Sequence, residues 1–300
     1  MHKVINVFRG TDGLNTVGDK TKVRFNPDTG ITELSTAVNV DVDDYGRVSR
    51  RKGFDATVRT ESVHSLWAEG NDCFYISGDS LYRLNKDYTR TGLRSGLTVG
   101  ARCAFLNANF RIYYMNGYES GYVINNVSYA WEAGTYTGPP TTEVFSDPPI
   151  GTHLELYNGR IYVAKDNQLF YSEPFAYSWF NLASGYTWVR NKLRFVKSVL
   201  SGLYVGTSDG VVFLMGDSPK DMRMIKISDS PPVEYTDVKL NGSLVGLENT
   251  VVMWIAEDGV WIGTDGGKAQ NISKEKIIYP SAILGSGVVY NKKYLSLLEE

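Results

Sequence analysis

The sequence has few of the residues that build common active sites. Its 300 residues include two cysteines and three histidines, and it contains no Cys-x-x-Cys pair, no Gly-x-Ser-x-Gly elbow and no complete phosphate-binding loop. His2, His64 and His153 have no spacing that forms a zinc ligand set. Two thiols are too few for a disulfide framework, so we expect Cys73 and Cys103 to be reduced and buried. We predict no metal site and no cofactor.

Long apolar runs and a surplus of one charge are also missing. No stretch is apolar for the roughly 20 residues that a membrane-spanning helix needs, and the N-terminus lacks the apolar core of a signal peptide. The chain has 31 basic and 33 acidic residues and a net charge of −2, whereas a general nucleic-acid binder usually has a basic excess. We therefore expect a protein that is made in a cytoplasm and has no membrane span.

The sequence does contain a short β-hairpin pattern, which recurs about six times. The copies are rich in aromatic and β-branched residues, and several of the chain's 20 tyrosines lie in them. They begin at Phe74, Ile112, Ile161, Leu203, Val252 and Tyr294. Recurrence about every 40–50 residues is typical of propeller blades, each of which is a four-stranded sheet.

This repeat predicts an all-β fold, a six-bladed β-propeller with an N-terminal extended arm. We assign residues 1–30 to the arm and 31–300 to the propeller. Five blades are expected at about 54–97, 101–133, 151–188, 195–227 and 233–272. The sixth is expected to pair residues 282–298 with 36–54, because strands from both ends leave no unpaired edge where the ring closes. Five blades are the alternative if the terminal segments pair elsewhere.

The hairpin at residues 36–54 shows the clearest alternation. Val38, Val40 and Val42 are expected on one face and acidic side chains on the other. The returning strand, from Arg47 onward, places positive charges beside those carboxylates, which favours this register.

Carboxylates are plentiful, but nothing in the sequence selects a catalytic pair. Glycoside hydrolysis needs two carboxyl groups at a fixed separation. The candidates are spread over three of the predicted blades: Glu69, Glu155, Glu173, Glu234, Glu248 and Glu257. We therefore expect a protein that is not an enzyme.

Two segments are candidate partner-binding sites. The first is a short apolar strand in the arm, which could add to a sheet edge of a partner. It comprises Val4, Ile5, Val7, Phe8 and Arg9. The second is an aromatic cluster in a predicted loop region, which either contacts a partner or fills space between blades. It comprises Phe175, Tyr177, Trp179 and Phe180.

The first 54 residues resemble a known protein family. A leader with Phe8-Arg9-Gly10 and Gly13-Leu14-Asn15 precedes Ala37-Val38-Asn39-Val40-Asp41-Val42-Asp43-Asp44-Tyr45-Gly46-Arg47-Val48-Ser49-Arg50-Arg51-Lys52-Gly53-Phe54. This order is similar to the start of tailed-bacteriophage virion proteins of the β-propeller tail hub, nozzle or tail-accessory type. The resemblance covers residues 8–54 in motif detail and the remainder only as repeat architecture, and it brings no catalytic residues.

The resemblance implies a structural component of a phage tail, located in the virion. Such a protein would form a homo-oligomeric ring, with a hexamer as one candidate, and would dock adaptor, nozzle or fibre proteins. DNA would pass through without specific binding, which suits a nearly neutral chain. The alternative functions are a carbohydrate- or receptor-binding propeller and a propeller glycosidase.

Overall fold

The computed structural model describes residues 11–18, 25–26, 31–43, 45–51, 53, 62–136, 138, 141–274, 276–290 and 293–299. Within these residues the chain is all-β, and its helices are two single 3-10 turns, Gly242–Val245 and Asp265–Gly267. In the same part of the chain, no helix has the length and apolar character that crossing a membrane requires.

The N-terminal strands form two small sheets. β1 (Thr11–Leu14), β2 (Phe25–Asn26) and β3 (Ile31–Leu34) make a three-stranded sheet in the order β1-β3-β2. β4 (Val40–Val42) and β5 (Val48–Arg50) make a separate hairpin.

Five larger sheets follow, and we call them blades 1 to 5. Blade 1 comprises β6 (His64–Glu69), β7 (Asp72–Ser77), β8 (Ser80–Leu84) and β9 (Arg90–Arg94). Blade 2 comprises β10 (Ala104–Ala108), β11 (Arg111–Met115), β12 (Ser120–Ile124) and β13 (Val127–Tyr129). Blade 3 comprises β14 (His153–Tyr157), β15 (Arg160–Lys165), β16 (Gln168–Glu173), β17 (Ala176–Phe180) and β18 (Tyr186–Trp188).

Blade 4 comprises β19 (Leu193–Val199), β20 (Gly202–Thr207), β21 (Gly210–Met215) and β22 (Arg223–Ser228). Blade 5 comprises β23 (Val238–Leu240), β24 (Val251–Ala256), β25 (Gly259–Gly263) and β26 (Ala269–Asn271). The last strands, β27 (Leu284–Tyr290) and β28 (Lys293–Glu299), form a two-stranded hairpin. Five sheets therefore lie at the positions predicted for the first five blades, and blade 3 has a fifth strand that the sequence pattern did not predict.

Each sheet packs on the next through its own apolar core, because strand alternation gives every blade two apolar faces. On β11 of blade 2, Tyr114 packs towards blade 1, whereas Tyr113 packs towards blade 3. Tyr162 and Val196 belong to the core between blades 3 and 4, and Trp254 belongs to the core between blades 4 and 5. The first strands of neighbouring blades adjoin along this series.

The C-terminal hairpin continues the series beyond blade 5. Val289, Tyr294 and Leu298 pack on the core of blade 5. Gly285 and Gly287 make this close approach possible, because a Cβ at either position would lie 2.7 Å or less from atoms of Thr236. The hairpin therefore packs directly against blade 5 as a separate two-stranded sheet.

The predicted backbone pairing of the two terminal hairpins is not found among the described residues. β4–β5 and β27–β28 are separate two-stranded sheets. An ion pair links them, with Lys293 Nζ 3.4 Å from Asp41 Oδ1. Backbone pairing instead joins the C-terminal hairpin to the segment before β23, where the amide of Gly285 donates to the carbonyl of Glu234 at 3.0 Å.

The predicted alternation at residues 38–42 is wrong at its start. Val38 is 78% exposed, whereas Val40 and Val42 are half-buried. Asn39 between them has a φ of 56°, which is left-handed and breaks the period of two. The charge pairing across this hairpin is present, since Arg47 Nε lies 2.8 Å from Asp43 Oδ2.

The boundary predicted at residue 30 does not separate an arm from the domain in the described part of the chain. The amide of Thr11 donates to the carbonyl of Gly46, and the amide of Thr16 donates to the carbonyl of Lys276, at 2.8 and 2.7 Å. Asn15 Nδ2 also donates to Glu33 Oε2 at 2.6 Å. Residues 11–18 are therefore built into the fold.

Candidate functional site at the first strands of the blades

Charged and polar side chains meet where the first strands of blades 3, 4 and 5 adjoin. We call them the inner-strand cluster: His153, Glu155, Lys197, Ser198, Glu234, Tyr235, Asp237 and Lys239. The alternation of β14 produces one side of it, because Leu154 packs into the core with blade 2. His153 and Glu155 consequently point to the opposite face, towards blade 4.

Glu155 is buried, and one of its carboxylate oxygens is hydrogen-bonded to two neighbouring blades. Its side chain is 4% exposed, and Oε1 accepts hydrogen bonds from Ser198 Oγ at 2.8 Å and Lys239 Nζ at 2.7 Å. Lys239 Nζ also donates to Ser198 Oγ at 3.0 Å. These contacts join blade 3, blade 4 and blade 5 in one network, and they compensate the carboxylate charge.

A second ion pair joins blades 4 and 5. Lys197 Nζ lies 3.2 Å from Asp237 Oδ2, whose side chain is 6% exposed. Burial lowers the pKa of Lys197, but the neighbouring Asp237 and Glu155 carboxylates outweigh it, so the pKa is raised above its ordinary value. Lys197 therefore stays charged and cannot act as a neutral base near pH 7.

His153 and Glu234 form the third part of the cluster. His153 Nε2 lies 3.9 Å from Glu234 Oε1, and the imidazole stacks on Tyr235 with ring centroids 5.2 Å apart. Burial lowers the pKa of His153 to about 4, and the Asp237 carboxylate opposes this only in part. Burial also raises the pKa of Glu234, against the effect of Lys192 and Arg194.

The inner-strand cluster is better suited to stabilising the packing of blades 3, 4 and 5 than to acid–base chemistry. A general base works best with a pKa near the operating pH and with access to substrate. His153 has a low pKa and is 5% exposed, and Glu155 is occupied by Lys239 and Ser198. Among the described residues, no three His, Cys, Asp or Glu side chains are placed to hold a metal ion.

The structure brings two of the six candidate glutamates into this cluster, Glu155 and Glu234. The other four lie away from it. Glu69 accepts from Asn107, Glu173 pairs with Arg160 at 3.7 Å, and Glu248 and Glu257 are exposed. Sequence reasoning missed His153, Lys197, Asp237 and Lys239. A signal was present in the polar residues on the first strand of a blade, such as His153-Leu154-Glu155.

The aromatic cluster predicted as a contact patch divides into buried and exposed members. Phe180 follows the space-filling alternative, because it is fully buried in the core between blades 2 and 3 and packs edge-on against Trp131 at 6.0 Å. Tyr177 and Trp179 are half-buried on β17, and Phe175 is 79% exposed. The physical reason is that this segment is a strand of blade 3, with Phe180 paired opposite Ser172.

Two further predictions have different outcomes. Cys103 is buried, Cys73 is half-buried, and both are free thiols. Burial raises the pKa of Cys103, which keeps it protonated. The arm residues Val4, Ile5, Val7, Phe8 and Arg9 lie outside the described residues.

No protein-family model matches this chain, and no curated protein matches it. Solved structures are similar to it. The extracellular domain of BT4673 from B. thetaiotaomicron has a TM-score of 0.50 at 13% identity, over 79% of this chain and 31% of that chain. The chain thus spans less than a third of the length of that relative.

Two other solved structures have lower scores. Virginiamycin B lyase from Staphylococcus aureus has a TM-score of 0.48 at 12% identity, over 81% of this chain and 86% of that chain. The N-terminal domain of Nup159 has a TM-score of 0.48 at 12% identity, over 78% and 72%. At such identities a likeness concerns the fold alone. The series of four- and five-stranded sheets defines the described part of this chain as all-β and β-propeller-like.

Proposed function

We propose that this chain is a non-enzymatic structural component of a bacteriophage tail. Six units, the five blades and the terminal hairpins, close into one propeller. Copies of that propeller form a ring in the tail, through which DNA passes, and neighbouring tail proteins dock on the ring. The protein is made in the host cytoplasm and resides in the virion.

One observation carries the proposal, the second face of the C-terminal hairpin. Its first face packs on blade 5. The opposite face presents apolar side chains to solvent: Leu297 is 77% exposed, Tyr290 64%, Val288 55% and Leu295 37%. Val288 lies directly opposite Leu295 in the register. A contiguous exposed apolar face of this kind is typical of a surface that another protein covers.

The inner-strand cluster supports a scaffold as well. Its Lys239–Glu155 and Lys197–Asp237 pairs connect successive blades, so the polar groups of the interior are used to fix geometry. The net charge of −2 also suits a ring that DNA passes without adhering to it.

The experiment measures oligomeric mass of the purified chain, alone and mixed with candidate tail proteins. Leu297→Glu puts a charge on the exposed hairpin face and should convert a ring to smaller species without changing the melting temperature. Leu200→Glu is the matched control, because Leu200 is 72% exposed in the turn between β19 and β20. Assembly should survive that substitution.

Two results would overturn the proposal. One is a chain that stays monomeric at every concentration and with every candidate partner. The other is a Leu297→Glu protein that assembles like the parent. Removal of residues 1–10 tests the arm separately: we expect weaker assembly and an unchanged melt, since Thr11 and Thr16 keep their contacts with the domain.

A further inference from the structure

A groove of about 290 Å³ lies between blades 2 and 3. It is bounded by the turn between β10 and β11 on one side and by β17 on the other. Its lining residues are Asn109, Arg111, Tyr113, Phe175, Ala176, Tyr177, Ser178 and Trp179. No part of the inner-strand cluster contributes to it, so the groove is a separate feature.

The aromatic walls of the groove are held in place from behind. Trp179 Nε1 donates to the carbonyl of Ala133 at 2.7 Å, and its ring lies 4.6 Å from that of Tyr136. Tyr177 meets Tyr113 edge-on at 6.3 Å. The rings are therefore preorganised, and a ligand that binds them loses little free energy in ordering the site.

Two exposed phenylalanines at or beside the groove have an unfavourable backbone conformation. Phe175 is 79% exposed at φ 57°, and its amide donates to the carbonyl of Gly159 at 2.6 Å. Phe110, between two lining residues, is 91% exposed at φ 61°. Bulky residues rarely adopt this left-handed conformation, and such outliers concentrate at sites of function. Asn or Gly would adopt this backbone conformation at both positions at lower cost.

Arg111 supplies a positive charge to this aromatic surface. Its guanidinium stacks over the ring of Tyr122 at 4.7 Å from the centroid, and this contact orients the N–H donors of the guanidinium. Among the described residues, no carboxylate forms an ion pair with it. Burial raises the pKa of Tyr113, against the effect of Arg111, so the phenol stays neutral. An oriented guanidinium of this kind matches the planar geometry of a carboxylate.

We propose that this groove binds an acidic oligosaccharide. The apolar C–H face of a pyranose ring packs on the aromatic walls formed by Phe175, Tyr177 and Trp179. The carboxylate of a uronic or sialic acid pairs with Arg111, and Asn109 and Ser178 offer hydrogen bonds to the sugar hydroxyls.

Size and charge favour this ligand over others. A volume of about 290 Å³ is at the small end of ligand sites, which suits one or two sugar rings. A neutral saccharide would leave the Arg111 charge uncompensated by the ligand. An acidic peptide would satisfy Arg111, but it would not present a flat C–H face to three rings. The site does not depend on ring assembly, so it can exist whether or not the tail proposal is correct.

The experiment is an array of uronate- and sialate-bearing oligosaccharides printed beside their neutral counterparts, with an oligoglutamate peptide as a further probe. The strongest acidic saccharide is then titrated in solution against the parent and three variants. Arg111→Gln removes the charge, Arg111→Lys keeps it without the fork, and Phe175→Asn removes a ring at a position that tolerates positive φ. Arg90→Gln is the matched control, because Arg90 stacks over Tyr82 at 4.6 Å outside the groove.

We expect Arg111→Gln to weaken binding at least about tenfold, as loss of a charge-assisted contact does. Phe175→Asn should weaken it to a similar degree, Arg111→Lys less, and Arg90→Gln not at all, with every variant melting like the parent. Equal binding of acidic and neutral saccharides, binding of the peptide alone, an Arg111→Gln protein that binds like the parent, or the absence of any binding would each overturn the proposal.

Discussion

Replacing Trp254 with alanine gives the most direct test of the packing between blades. Trp254 is fully buried on β24. Its ring centroid lies 5.7 Å from both Phe195 and Tyr204, which belong to blade 4, and 6.0 Å from Trp261, with which it is parallel to within 6°. One side chain therefore joins two blades.

The expected magnitude follows from these contacts. Truncation of a buried tryptophan to alanine typically costs about 3–5 kcal/mol, and each lost aromatic pair adds to that by about 0.5–1.5 kcal/mol. One effect acts in the opposite direction, because Trp254 Nε1 is buried with no hydrogen-bond partner among the described residues. Removing such a group returns about 1–3 kcal/mol. We expect a net loss of about 3 kcal/mol or more in the free energy of unfolding.

The assay is chemical denaturation followed by fluorescence and circular dichroism. Trp254→Phe keeps a ring and removes the unpartnered N–H, so it should cost less than about 1.5 kcal/mol. Trp188→Ala is the matched control, because Trp188 is 58% exposed, and we expect less than about 1 kcal/mol there. A loss below about 1 kcal/mol for Trp254→Ala would refute the packing between blades 4 and 5.

Three further outcomes are expected from the same measurements. Lys239→Met should lower the free energy of unfolding by about 3–5 kcal/mol, because it leaves the buried Glu155 carboxylate without its cation. Glu155→Gln should cost far less, because the half-exposed Lys239 ammonium can be hydrated instead. Equal losses for the two variants would contradict this asymmetry. The parent should lose stability as the pH falls from 6.5 towards about 4, because His153 takes up a proton in the unfolded state but not in the folded state over that range. His153→Gln should lose less stability over the same range. Parallel stability curves for the two proteins would show that the pKa of His153 is the same in the folded and unfolded states. Gly287→Ala should cost about 1–3 kcal/mol, because its Cβ would collide with the backbone carbonyl of Thr236 and lift the C-terminal hairpin; an unchanged melt would place the hairpin elsewhere.

The blades could be predicted from the sequence because their signals are local. Alternating apolar strands joined by short turns specify a hairpin within about a dozen residues, and the predicted copy at Leu203 forms the antiparallel pair β20 and β21. The fifth strand of blade 3 has no such signal. β16 pairs with both β17 and β18, and its pairing with β17 contains a register shift.

The inner-strand cluster depends on convergence of distant residues. Glu155 and Lys239 are 84 positions apart in the chain and meet only because blades 3, 4 and 5 stack in order. Period-two alternation places Glu155 on one face of β14, but it does not say which residues that face will meet. Phe180 illustrates the same limit. Its neighbours in sequence suggested an aromatic loop, whereas its burial follows from Trp131 in the preceding blade.

The order of the cores also indicates where this fold is weakest. Blades 1 to 5 and the C-terminal hairpin are joined in series by five apolar cores. Across the remaining gap, the described contacts of the hairpin with the segment between blades 1 and 2 are polar. Arg102 donates to the carbonyl of Gly285 and to Ser286 Oγ, and it lies 3.9 Å from Glu299. Partly exposed contacts of this kind contribute about 1 kcal/mol or less each. A partner that covered the apolar outer face of the hairpin would therefore stabilise this junction more than its own polar contacts do, and the closure proposed for the fold would then depend on the assembly proposed for the tail.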